Sequence, residues 1–205
     1  MSALRRASQL MSEAEYLEFE RASQSKHEFL GGDVFDMTGA SRAHNLISGN
    51  VFASLHRQLR GKSCEIYHAD MRLKISATGL YTYPDISVVC SEAQFSDEYL
   101  DTLLNPTLIV EVLSPSTERY DRGKKFQQYR ELPSLQEYVL IAQDSPRIER
   151  YLRQPEGLWQ LADASGPDAT LELTSIECKL SLAEVYEQVT FTSEEDLSPD
   201  EDSSN

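Results

Sequence analysis

Two nearly continuous β-prone runs constrain the fold of this chain more than any other feature. Residues 85–90 read Asp-Ile-Ser-Val-Val-Cys, and residues 107–113 read Thr-Leu-Ile-Val-Glu-Val-Leu. Apolar runs of this length without polar alternation are typical of central strands that are buried on both faces. A chain of 205 residues is long enough to bury such strands in the core of one domain. We therefore expect these two runs to form the centre of a sheet.

The segments around these runs predict helices and further strands. Ser12 and Glu15 have the spacing of a capping box for a helix that ends near residue 23. Gly31-Gly32, between two short apolar runs, predicts a β-hairpin within residues 27–37. Ser41 caps a second predicted helix that ends near residue 59. We also predict a third helix from residue 116 or 117 to about residue 131, a short closing helix at residues 181–186, and strands at residues 64–68, 71–75, 137–141, 147–152, 158–161 and 170–173.

Negative charge is concentrated at the C-terminal end of the chain, and the net charge limits the classes of partner that it can bind. The formal net charge is −15, and six acids without a base lie in the last 14 residues, which leaves −9 for the rest. This balance argues against tight non-specific binding to DNA, but it does not exclude DNA as a substrate. We expect an N-terminal segment at residues 1–11, a single domain at residues 12–191 and a disordered acidic tail at residues 192–205.

Cysteine usage and hydropathy indicate the compartment. Cys64, Cys90 and Cys178 have the spacing of neither a disulfide framework nor a zinc site, so we expect reduced, buried thiols. No stretch approaches the roughly 20 apolar residues of a membrane-spanning helix, and the N-terminus lacks the apolar core of a signal peptide. We therefore expect a cytoplasmic protein that does not bind membranes.

Glu111 is the most unusual residue, because it interrupts an apolar strand. An isolated buried carboxylate is costly, so it normally acquires a partner, a metal ion or a proton. Asp85 opens the preceding run directly after Pro84, which fixes the entry to that strand. If the two strands are neighbours, both carboxylates meet at one edge of the sheet, and Mg²⁺ prefers such oxygen ligands. The alternatives are a solvent-facing strand end for Glu111 and an ordinary turn at Asp85.

The third predicted helix contributes further candidates. Asp121, Lys125 and Tyr129 are spaced i, i+4 and i+8, so they share a helix face that can fold back over Glu111. A lysine in that position can orient a water molecule or stabilise charge that develops on a phosphate. The alternative is that Asp121 and Lys125 form a surface ion pair, which contributes little.

Several linked segments resemble one bacterial family. They are Tyr83-Pro-Asp-Ile-Ser-Val-Val, Leu108-Ile-Val-Glu-Val-Leu-Ser-Pro-Ser-Thr and Asp121-Arg-Gly-Lys-Lys-Phe-Gln-Gln-Tyr. These segments are similar to the bacterial putative restriction endonuclease family, long labelled a domain of unknown function, in the PD-(D/E)XK nuclease superfamily. The resemblance extends in order from about residue 16 to residue 186. It implies an α/β (α+β) fold with a restriction endonuclease-like core, in which helices flank a mixed central β-sheet.

The resemblance also implies an activity and its residues. It implies an endodeoxyribonuclease that hydrolyses phosphodiester bonds in DNA with Mg²⁺, for which Mn²⁺ can substitute. Asp85, Glu111 and the carbonyl of Val112 would hold the metal ion. The superfamily lysine lies two residues after the second acid, where this chain has Leu113. Lys125 matches the pattern of this family for a lysine supplied by the following helix, and Lys124 is its less favoured neighbour.

Two auxiliary residues and two alternative functions complete the expectations. Glu28 resembles an acid near the start of the fold that can help to carry a metal-bound water. His44 lies in the first turn of the second helix, where it can bind phosphate or a carboxylate or serve as a structural residue. Because nucleases that cut both strands often dimerise, a homodimer is a further expectation. Leu113 and the overall acidity leave open a binding module that has lost cleavage, and a metal-dependent hydrolase of another phosphodiester is also an alternative.

Overall fold

The structure is a computed structural model that describes residues 10–37 and 39–191. The predicted acidic tail and most of the predicted N-terminal segment lie outside the described residues. The helices are α1 (Glu13–Ala22), α2 (Arg42–Gln58), α3 (Glu118–Tyr120, a π-helical turn Asp121–Lys125, and Phe126–Tyr129) and α4 (Leu182–Val185). The strands are β1 (His27–Leu30), β2 (Asp33–Asp36), β3 (Glu65–His68), β4 (Arg72–Ile75), β5 (Leu80–Thr82), β6 (Ile86–Val89), β7 (Thr102–Leu103), β8 (Leu108–Val112), β9 (Glu137–Ile141), β10 (Arg147–Arg153), β11 (Trp159–Ser165), β12 (Thr170–Leu173) and β13 (Cys178–Ser181).

Local signals in the sequence place the first three elements. The capping box at α1 is confirmed, because Ser12 and Glu15 each accept a backbone amide hydrogen of the other. Gly31 and Gly32 have φ angles of 61° and 93°, which only glycine adopts without strain, and they close the β1–β2 hairpin. Ser41 caps α2 by accepting the amide hydrogen of His44.

A six-stranded mixed sheet forms the centre of the domain, in the order β11-β10-β9-β8-β6-β3. Strands β8 and β9 are parallel, and the other neighbours are antiparallel. Every residue of β6, β8 and β9 is buried, so the prediction of central strands is confirmed. Alternate side chains of these strands pack towards α2 and the β12–β13 hairpin on one face, and towards α3 and the second sheet on the other.

The second sheet has five strands in the order β2-β1-β5-β4-β7. Its strands β5 and β7 were not expected from the sequence, and neither was β13, which pairs with β12 in a separate two-stranded sheet. Two or three residues are too few to show a period of two, so β5 and β7 exist through their pairing with β4. This sheet carries the β1–β2 hairpin against the central sheet and thereby forms one wall of the site described below.

The prediction of reduced cysteines is wrong for two of the three. Cys64 and Cys90 form a disulfide, with Cα atoms 4.0 Å apart. Strand β3 pairs with β6 so that Glu65 lies opposite Val89. One residue further, this register places Cys64 opposite Cys90, which their separation in sequence cannot reveal. Cys178 is a free, buried thiol as expected.

Within the described part of the chain, no helix is both long and apolar enough to cross a membrane.

Candidate active site

The two carboxylates singled out in the sequence are brought together by strand pairing. Strand β6 runs antiparallel to β8, with Ile86 opposite Val110. One residue further, the register places Asp85 opposite Glu111. The Val112 N–H donates to Asp85 Oδ2 at 2.7 Å, which ties the start of β6 to the end of β8. Glu111 is only 5% exposed and points to the same face of the sheet as Ile109 and Leu113.

Helix α3 lays three polar side chains over Glu111. Lys125 Nζ lies 2.9 Å from Glu111 Oε1 and 3.7 Å from Asp121 Oδ1. The Tyr129 hydroxyl donates to the same Glu111 oxygen at 2.6 Å. The predicted shared face is therefore observed, and the alternative of a surface ion pair is wrong, since Asp121 and Lys125 are both buried. Lys124, the less favoured neighbour, is exposed.

Packing and an unusual turn hold α3 in this position. Residues Asp121–Lys125 form a π-helical turn, a feature frequent at functional sites. The Tyr138 hydroxyl of β9 donates to the Asp121 carbonyl at 3.2 Å. The Phe126 ring stacks on the Tyr138 ring, with centroids 5.1 Å apart. These contacts fix the helix on the sheet directly after the turn that follows β8.

Glu28 reaches the same cluster from β1. Its Oε1 lies 3.4 Å from Lys125 Nζ and accepts a hydrogen bond from the Thr82 hydroxyl. Its Oε2 accepts a longer hydrogen bond of 3.5 Å from Tyr120. The structure therefore places the carboxylates of Glu28 and Glu111 against the same ammonium group.

His44 contacts the other carboxylate. Its Nε2 lies 2.8 Å from Asp85 Oδ1, in the first turn of α2. With the Val112 amide on Oδ2, both oxygens of Asp85 are held by the protein. A carboxylate oxygen has two acceptor positions, so each still has one position free for a further ligand. His44 was expected to bind phosphate or a carboxylate, and the structure shows it in contact with the carboxylate of Asp85.

The cluster carries more negative than positive charge. Three carboxylates, of Glu28, Glu111 and Asp121, lie within 3.7 Å of the Lys125 ammonium, and Asp85 is a fourth carboxylate opposite Glu111. Burial raises the pKa of Glu111 to about 8, a shift that Lys125 opposes and Asp85 increases. Burial also raises the pKa of Asp121, again against the effect of Lys125. Burial alone would lower the pKa of Lys125, but Glu111, Glu28 and Asp121 outweigh it and raise that pKa well above its ordinary value. The ammonium therefore stays charged, and the cluster lacks compensating cations.

This donor set fits a hard divalent cation in charge and chemistry. Asp85 and Glu111 offer carboxylate oxygens, and no described residue donates a hydrogen bond to Glu111 Oε2. Among the described residues, no three or more His, Cys, Asp or Glu side chains are arranged to hold a metal ion. The predicted set has two carboxylates and one main-chain carbonyl, so Mg²⁺ would depend on water for its remaining ligands. The described contact of Val112 in the site is made by its amide, and the role of its carbonyl stays a prediction.

The cluster lines a cleft of about 960 Å³. The sequence analysis did not identify three residues of the site: Thr82 and Tyr120, which contact Glu28, and Gln143, which donates to the Leu113 carbonyl. The β-prone stretch Leu80-Tyr-Thr just before Pro84 was the available signal for Thr82. No local pattern marks Tyr120 or Gln143, because their contacts depend on how α3 and β9 pack.

Comparison with known proteins identifies relatives of this chain. The chain is 37% identical over 181 residues to the uncharacterized protein slr1290 of Synechocystis, covering 88% of this chain and 94% of that one. It is also 37% identical over 165 residues to the uncharacterized protein sll1609 of the same organism, covering 80% and 93%. The fold matches the crystal structure of a "putative nuclease belonging to DUF820" from Anabaena variabilis, with a TM-score of 0.70, 18% identity, and 86% and 98% of the two chains covered.

At that level of identity, the structural match shows the fold, and it agrees with the predicted mixed sheet flanked by helices. The Uma2 family model, described as "Putative restriction endonuclease", matches residues 13–184. That match spans both carboxylate strands and the helix that carries Lys125. The resemblance found in the sequence is thereby confirmed, and the chain belongs to the Uma2 family of putative restriction endonucleases.

Proposed function

We propose that this protein is a Mg²⁺-dependent endonuclease that hydrolyses phosphodiester bonds in DNA. The observation that carries the proposal is the convergence of Asp85 and Glu111 on paired strands, with Lys125 Nζ 2.9 Å from Glu111. Buried carboxylates beside a buried lysine, lining an open cleft, are costly to maintain for structure alone. Membership of the family supports a nuclease, and the carboxylate pair supports the metal ion.

Asp85, Glu111 and the Val112 carbonyl would hold Mg²⁺, with Mn²⁺ as a substitute. When bound, the ion would act as a Lewis acid on the phosphate and lower the pKa of coordinated water. His44 and the Val112 amide keep the Asp85 carboxylate in one orientation, and the Tyr129 hydroxyl does the same for Glu111. Such positioning matters because small misplacements of catalytic groups are costly in rate.

Lys125 would act at the reacting phosphate in place of the superfamily lysine that Leu113 replaces. Its ammonium stays charged, since three carboxylates lie within 3.7 Å of Nζ. A water molecule held by Nζ would lie beside Glu28, whose carboxylate can accept its proton. Lys125 would also stabilise the negative charge that develops on the phosphate oxygens. Asp121, 3.7 Å from Nζ, is a further carboxylate that would help to hold the ammonium in this position.

A plasmid-nicking assay with and without Mg²⁺ tests the proposal. The unmodified protein should convert supercoiled plasmid only with Mg²⁺ or Mn²⁺, and Asp85→Ala should abolish the conversion. Lys125→Met should lower turnover by at least about 100-fold, as expected for loss of one charge-stabilising group. Lys124→Met is the matched control, because it removes the neighbouring exposed lysine and should cut at the normal rate. Nicking that survives in Asp85→Ala, or equal rates for Lys125→Met and the control, would contradict the mechanism.

A second candidate function is a nucleic-acid-binding module that does not cut. It is favoured by Leu113 at the expected lysine position. In that case Asp85→Ala and the unmodified protein would bind DNA equally and leave it intact. If DNA is neither bound nor cut while a model phosphodiester is hydrolysed with Mg²⁺, the hydrolase of another phosphodiester is the correct alternative. The expected homodimer and cytoplasmic location stay predictions from the sequence, which light scattering and cell fractionation test.

A further inference from the structure

An exposed aromatic side chain lies in the cleft next to the proposed catalytic groups. Phe35, on β2, is 45% exposed and lines the cleft. A single exposed phenylalanine on an ordinary surface needs no explanation. This one differs in location, because it faces a space otherwise lined largely by polar and charged side chains.

Strand register places Phe35 beside Glu28. In the β1–β2 hairpin, Glu28 lies opposite Phe35, and residues opposite each other in a sheet project to the same face. On the next strand, Thr82 continues this row, since its hydroxyl donates to Glu28. Phe35 is therefore the outer member of a row that leads through Glu28 towards Lys125, whose Nζ lies 3.4 Å from Glu28 Oε1. A group resting on Phe35 would lie one strand away from Glu28.

Acidic side chains outnumber lysines in the cleft, so an apolar contact can contribute affinity for DNA that contacts to phosphate cannot. The four carboxylates of the site line the cleft together with Asp36 and Asp70, against the two lysines Lys26 and Lys125. Lys26 is itself engaged by the Ala69 carbonyl and by Asp70. Duplex DNA carries a higher density of phosphate charge than a single strand and binds mainly through cationic contacts, which this lining does not supply. Stacking of a base on an aromatic ring adds affinity without charge and tolerates any base.

We propose that Phe35 is a stacking platform for an unpaired base, so that the substrate is held as a single strand or at an unpaired nucleotide. This inference rests on the proposed function and names its substrate class. A base stacked on Phe35 would place its own phosphodiester near Glu28 and Lys125. A base inside a regular duplex has both faces covered by its neighbours and cannot make this contact without being unstacked.

Binding of fluorescein-labelled oligonucleotides, followed by anisotropy with Ca²⁺ in place of Mg²⁺, tests the inference independently of turnover. The probes are a 12-nucleotide thymidine strand, a strand of equal length whose sugars carry no bases, and a duplex of equal length. The unmodified protein should bind the thymidine strand about tenfold or more tightly than either of the others. Phe35→Ala should remove that preference, and Phe35→Trp should retain it.

Two further variants separate stacking from other effects. Phe35→Leu keeps an apolar side chain of similar size without a π face, so it should lose the preference for the thymidine strand as Phe35→Ala does. If the alanine variant does not fold, the leucine variant tests the stacking contact in its place. Tyr99→Ala removes an exposed aromatic residue outside the cleft and should bind like the unmodified protein. Equal binding of duplex and single strand, full binding by Phe35→Leu, or no binding of the thymidine strand would each overturn the inference. Cleavage of supercoiled plasmid and of single-stranded circular DNA with Mg²⁺ judges the proposed function separately, because a metal-dependent nuclease that prefers duplex DNA would cut the plasmid and fail here.

Discussion

Replacing Glu111 by glutamine should stabilise the metal-free protein while it removes activity. Burial raises the pKa of Glu111 from its ordinary value of 4.5 to about 8. Between these two pH values the carboxyl group holds a proton in the folded protein that it releases in the unfolded chain. The sign follows from linkage: the stability associated with a raised pKa is complete below pH 4.5 and is lost as the pH rises towards the raised value. Glutamine resembles the protonated carboxyl group in shape and needs no proton, so the variant avoids this loss.

The size of the effect follows from the same shift. Each pH unit between the ordinary and the raised pKa corresponds to about 1.4 kcal/mol. At pH 7 the unfolding free energy of Glu111→Gln should therefore exceed that of the unmodified protein by up to about 3 kcal/mol. At pH 4.5 the difference should vanish. Functional groups that reduce stability in this way are a recurrent property of active sites.

Urea denaturation of the metal-free proteins between pH 4.5 and pH 8 measures this difference. Added Mg²⁺ should then stabilise the unmodified protein more than Glu111→Gln, because the variant lacks one of the two carboxylate ligands. Glu172→Gln, which removes an exposed carboxylate from β12, controls for the lower net charge and should show little change. A Glu111→Gln variant that is less stable at pH 7, or a difference that does not change with pH, would refute the reasoning.

Three further predictions concern single contacts. Tyr129→Phe removes a buried hydrogen bond to Glu111 and should lower the unfolding free energy by about 1–2 kcal/mol, measured by urea denaturation at pH 7; an unchanged midpoint would contradict the observed contact. The hydrogen bond from Arg21 lowers the pKa of Asp101, whose contribution to stability is present above its ordinary value of 3.8 and is lost as the pH falls below it. Asp101→Asn should therefore lower the melting temperature at pH 7 by an amount worth about 1 kcal/mol at most, because the group is partly exposed, and the difference should shrink towards pH 2. Finally, the disulfide joins two cysteines that are 26 positions apart in the sequence. Replacing Cys64 and Cys90 by serine should therefore lower the unfolding free energy by about 3 kcal/mol. The stability of this variant should no longer respond to dithiothreitol.

Local physical signals in the sequence were sufficient for much of the fold. The capping box at Ser12, the glycine pair at residues 31–32 and the cap at Ser41 act over a few residues, so they could be read without any tertiary information. The apolar runs of β6 and β8 predicted buried central strands for the same reason. The short strands β5 and β7 escaped prediction, because pairing rather than local preference makes them strands.

For the candidate site too, local signals in the sequence identified some residues, and tertiary packing set their contacts. The cost of burying a charge was enough to single out Glu111, and helical spacing placed Asp121, Lys125 and Tyr129 on one face. Tertiary packing alone decided that this face covers Glu111, that Glu28 and His44 join the cluster, and that Cys64 meets Cys90. These contacts join residues from 14 to almost 100 positions apart, and their distances depend on strand register and on the position of α3 over the sheet. The sequence by itself therefore determined which carboxylate needed a partner and indicated Lys125 as a candidate. Only the tertiary structure decided that this ammonium lies against Glu111, because the contact depends on how α3 packs over the sheet.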